Sequence, residues 1–114
     1  MNDDIKELHE TLMAQHQALY EKLDTVRDPA LAKAIVTEMQ EILHRVDILQ
    51  GLLFRQSSAS LVRQIEKVEE ADAALADALK TAESAADYIS GVTKFLGFVD
   101  KAIDLAKTLA PMAV

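Results

Sequence analysis

From Ile5 to Ala110 the apolar residues of this chain return every three or four positions. Only an α-helix gathers residues so spaced onto one side, since a strand needs alternation by two. Two prolines and three glycines in 114 residues leave few places for such helices to stop. Large aromatics are scarce, so leucine and alanine must supply most of the buried surface, which again favours helix over sheet. The pattern predicts an all-α fold in a single domain, 1–114.

The first expected helix covers about 3–26, with Ile5, Leu8, Leu12, Leu19, Leu23 and Val26 on its apolar side. Asp3 and Asp4 favour its N-terminus, where negative charge meets the positive end of the helix dipole. Asp28-Pro29 then reads as a cap and a first-turn proline. The second helix, about 29–55, carries Leu31, Ile35, Met39, Ile42, Val46, Leu49 and Leu53. Val36, Leu43, Ile48 and Leu52 broaden that stripe, which predicts that this helix is the most buried. Gln56-Ser57-Ser58-Ala59-Ser60 interrupts the apolar pattern on every side and predicts a turn, with Ser58 or Ser60 capping the third helix.

The third segment, about 60–88, carries Leu61, Ile65, Val68, Leu75, Leu79, Ala82, Ala86 and Ile89, with Ala71 or Asp72 filling the gap. Its alanines allow close helix packing. Asp72 is expected on its flank rather than in the core. Ser90 and Gly91 are poor helix formers, yet the apolar phase continues through them into Val92, Leu96, Val99 and Ile103. Without a break, a helix from Leu61 to Leu109 would reach roughly 70 Å, too long for the first two helices to cover. Compactness favours a break near Ser90-Gly91 and a fourth helix over 92–109, giving an antiparallel up-down bundle of four helices. The alternative is three helices, the last long, bent and covered by oligomerisation.

Few constellations point to chemistry. The chain has no cysteine, which excludes disulfides, thiolate metal sites and a cysteine nucleophile. Glu41 and His44 form one Glu-x-x-His pair, and His9 and His16 lie two turns apart on the first helix. Di-iron bundles need two such pairs with two further glutamates, so these four residues are only weak metal candidates, and no cofactor is expected. His9-Glu10 opens like a zinc-protease motif, but Met13 stands where its second histidine belongs. There is no glycine-rich phosphate loop and no Gly-x-Ser-x-Gly elbow. The expectation is a non-enzymatic protein.

The net charge of −7 argues against a broad basic surface, so nucleic acid is not an expected partner. Glu66, Glu70, Asp77, Glu83 and Asp87 suggest an acidic ridge for a basic partner, against the plainer reading of a solvated face. Val92, Phe95, Leu96, Phe98, Val99, Ile103 and Leu105 make the last helix the expected docking surface for a protein partner or a second copy. The same helix and its uncharged tail, 91–114, give a weaker membrane-surface reading, since its polar side is only slightly basic. The acidic start, Met1-Asn2-Asp3-Asp4, and the lack of a long apolar run lead to a cytoplasmic expectation.

Overall fold

The first three helices begin on caps that local chemistry supplies. The computed structural model describes residues 1–112; the side chain of Asp87 and the last two residues, Ala113 and Val114, lie outside the described set. Asn2 caps α1 (Asp3–Leu23), its side-chain oxygen accepting from the Asp4 and Ile5 amides at 3.0 and 3.1 Å. Asp28 caps α2 (Pro29–Gln50), with Pro29 in the first turn as expected. Ser58 caps α3 (Ala59–Thr81) by accepting from the Leu61 amide at 3.1 Å. The fourth helix, α4, spans Ala85–Lys107. Each such cap is worth roughly 1 kcal/mol.

The four helices form the expected all-α bundle. α1 packs on α2 and α3, and α4 packs on the same two. The α2–α3 connection therefore crosses the diagonal, and two neighbouring pairs, α1/α3 and α2/α4, run parallel. The end where α1 starts is also where α2 and α4 finish. There the Asn2 amide donates to Leu53 O at 2.7 Å, and Ser57 donates to Asp4. The tail closes that end as well. Gln56 N donates to Ala110 O and Met112 N to Phe54 O, both at 2.8 Å, and the Arg55 guanidinium reaches Leu109 O at 2.9 Å. Ala110–Met112 is thus tied down by backbone pairing rather than left free for a lipid surface.

The bend between the third and fourth helices lies at Ala82–Ser84, not at Ser90-Gly91. Ala82 is extended, with φ −66° and ψ 126°. α4 then runs unbroken through Ser90 and Gly91, and α2 stops at Gln50 and α1 at Leu23, each a few residues before its apolar stripe ends. The expected break fails because Gly91 is a packing position. A Cβ placed there would sit 3.2 Å from Leu75 Cδ1 on α3, so the absent side chain lets the two helices approach. The unbroken apolar phase through Val92 and Phe95 matches the continuous helix. Gly97 is different: it is exposed, and nothing lies within 4 Å of a Cβ built on it.

The core runs the length of the bundle, with Tyr88 and Phe95 the bulkiest fully buried side chains. Two glycines in one helix thus give opposite expectations. Gly97→Ala removes a helix-interior glycine in open space and stabilises by about 0.5–1 kcal/mol. Gly91→Ala gains less or loses stability, because its methyl presses on Leu75. Urea denaturation of the two variants beside the parent chain measures the contrast.

Candidate interaction surface

The apolar stripe of α4 is consumed inside the bundle. Val92, Phe95, Leu96, Val99 and Ile103 are buried, and Phe98 and Leu105 are half-buried against the same core. The expected docking surface on this helix is therefore corrected: α2 and α3 already cover it. No helix among the described residues is long and apolar enough to cross a membrane.

The metal candidates do not converge. Helix geometry turns each residue about 100° from the last. Glu41 lies on the flank of α2 that faces α4, where it binds Arg45 at 2.9 Å. His9 and His16 lie across the bundle from it, on the α1 flank that faces α2. His44 points outward and is exposed. Among the described residues no three of His, Asp and Glu are placed to hold a metal ion.

The acidic residues divide. Glu66, Glu70 and Asp77 share the outer face of α3, where Glu66 and Asp77 are exposed and Glu70 borders a groove, and Glu83 is exposed in the α3–α4 connection. Lys67 and Lys80 interleave with them, Lys80 lying 3.9 Å from Asp77. Asp87, the last member, has its side chain outside the described residues. Beside this face, Ala71, Ala74, Ala78 and Gly91 leave an open groove of about 420 Å³ between α3 and α4, rimmed by Lys67, Glu70 and Lys94. Its rim mixes charges and selects for neither sign.

A different surface emerges from α1 and α2. The buried arc of α2 is set by Leu31, Ile35, Ile42, Val46 and Leu49. Val36 and Leu43 fall about 100° off that arc, and they are 40% and 42% exposed. They do not deepen the core as the sequence suggested. Arg45 fixes the other flank of α2 against α4 through its bonds to Asp100 at 2.7 and 3.0 Å. Val36 and Leu43 must then lie on the flank beside α1. The same construction places Met13 and Tyr20, 39% and 55% exposed, on the flank of α1 beside α2. Half-buried Met39 continues the strip between them. The Asn2–Leu53 bond at one end and the short 24–28 connection at the other set the α1/α2 register. In that register Met13 stands level with Gln40, Val36 with Gln17 and Tyr20 with Lys33. Leu43, Met13, Val36 and Tyr20 therefore succeed one another along the outer face for roughly 15 Å. Part of the signal is present in the sequence: Val36 and Leu43 are seven apart, each directly after a core residue and so at the same edge of the α2 stripe.

The interior retains unpaired polar groups. Among the described residues, Tyr88 is fully buried with no partner for its hydroxyl, and Gln15 Nε2, Glu38 Oε2 and Asp72 Oδ1 are likewise buried without one. Burial pushes the Tyr88 hydroxyl well above the usual phenol range, and the nearby Glu38 carboxylate adds to this. Burial also raises Glu38, helped by Glu41 and opposed by Arg45. Asp72, expected on a flank, is raised by burial alone. Glu69 is raised by burial and by its contact with Glu7 on α1.

The chain matches no protein-family model, no curated protein and no solved structure.

All three raised carboxyls act in one direction with pH. Each holds its proton more tightly folded than unfolded, so the folded chain binds more protons and gains stability as pH falls. From neutrality down towards the ordinary glutamate value of 4.5, the melting temperature should rise by a few degrees. The Glu38→Gln/Asp72→Asn double variant should melt higher at neutral pH and lose most of that slope. Scanning calorimetry across the window measures both effects.

Proposed function

We propose that this chain is a non-enzymatic helical interaction module that docks onto another helical surface through the outer face of α1 and α2. One observation carries the reading: Met13, Tyr20, Val36 and Leu43 line that face exposed, in sequence along the bundle, while the core is complete without them. Scattered apolar residues on a surface need no explanation, but a contiguous strip marks a contact surface. The other exposed large apolar residues, Met1, Phe54, Val62 and Ile89, lie apart from this strip at the closed end or on α3 and α4.

The expected docking role thus moves from α4 to α1/α2, and the acidic face of α3 is left as a solvated surface. Its support is where the bundle places its apolar residues.

A photo-crosslinking residue placed at Val36 or Leu43 in the producing cell should give a covalent protein adduct, and the same residue at Glu66 should give none. Absence of adducts at both strip positions would overturn the docking role. Stability separates the strip from the core at adjacent positions. Ile42→Ala should cost about 2–5 kcal/mol, whereas Leu43→Ser should change stability by less than about 0.5 kcal/mol, as read by chemical denaturation.

A further inference from the structure

We infer that the occupant of the α1/α2 face is a second copy of this chain, related by a two-fold axis parallel to the bundle; this rests on the docking role proposed above. The face is complementary to itself. In the α1/α2 register, Lys6 on α1 stands level with Asp47 on α2, and Tyr20 stands level with Lys33. Lys6, Lys33 and Asp47 are all exposed. A two-fold axis along the bundle lays α1 of one copy over α2 of the other, antiparallel and at the same levels. Lys6 then faces Asp47 of the second copy, and the symmetry repeats the pair at the opposite edge. Between these edges the apolar strips cover each other, with Leu43 and Val36 of one copy set against the α1 strip of the other.

The charged edges of the face suit a second copy. The chain as a whole carries −7, which opposes self-association over most of its surface. In the arrangement proposed, Lys6 and Asp47 of the two copies place opposite charges opposite each other at both edges of the face. Two helices laid on two helices form a layer at the usual 8–10 Å spacing, the same packing that builds the bundle.

Sedimentation equilibrium tests this directly. The full chain should reach twice its 12.5 kDa mass at micromolar concentrations, and Val36→Glu/Leu43→Glu should remain monomeric with unchanged circular dichroism. A charge-swapped pair tests the geometry. Lys6→Glu and Asp47→Lys should each weaken self-association about tenfold, since each places two like-charged pairs in the dimer. An equimolar mixture of the two should restore it, because every facing pair is then of opposite sign. That rescue cannot arise from contacts within one chain. A wild-type chain that stays monomeric would overturn the second copy as occupant, as would a mixture that fails to recover. If crosslinks at Val36 and Leu43 then capture a different protein, the docking role stands and only the self-association falls. If no adduct forms at either position, both fall.

Discussion

Each helix of a four-helix bundle can bury only one arc of its surface, and this limit shapes everything else in the molecule. On α2 the arc is filled by Leu31, Ile35, Ile42, Val46 and Leu49, about one per turn. Any further apolar residue on that helix is displaced to a flank, whatever its hydrophobicity. Val36 and Leu43 are such residues. Full burial of a leucine or valine contributes about 1.5–3 kcal/mol, and with 40% and 42% of their surfaces exposed Val36 and Leu43 forgo part of it. The bundle cannot recover it by rotating α2. A turn that brought Leu43 inward would carry Arg45 away from Asp100 and expose part of the existing arc.

The stripes identify the helices, and the caps Asp28-Pro29 and Ser58 locate two of the starts. These features are local, and local chemistry decides them. The bend between α3 and α4 is harder to read because glycine has two uses in a helix. By itself Gly91 has the look of a breaker, but its role is to let α3 approach through Leu75; the neighbour that gives it meaning is sixteen residues away in sequence. The true bend has no glycine or proline. Its sequence mark is Ser84-Ala85-Ala86-Asp87, a serine with an acid three residues on, which is the signature of a helix start.

The candidate surface is legible only in part, and for a related reason. Periodicity gives the side of a helix that is apolar but not how wide an arc its neighbours will cover. The α4 stripe is as apolar as that of any docking helix, and α2 and α3 cover it. The α2 stripe is wider than its neighbours can cover, and the remainder becomes the exposed strip. Deciding between these outcomes requires knowing which helices touch. That is fixed by contacts such as Arg45 with Asp100 and Gln64 with Phe98 O, partners separated by 55 and 34 residues.

Those polar contacts explain how one arrangement is selected from several. Leucine-rich stripes are nearly interchangeable, so apolar burial alone would tolerate a bundle with its helices permuted or slipped by a turn. Arg45 reaches Asp100 with two nitrogens, Gln64 Nε2 reaches the Phe98 carbonyl at 3.1 Å, and Arg55 reaches Leu109 O at 2.9 Å. Each bond joins a specific pair of elements at a specific height, and a helix slipped by one turn would lose it. A half-buried guanidinium without its carboxylate is costly, so Arg45 penalises the wrong neighbour more than it rewards the right one. The same contact that fixes α2 against α4 also fixes which flank of α2 faces outward. Val36 and Leu43 are therefore exposed by the ion pair on the opposite side of their helix as much as by their own position in the stripe.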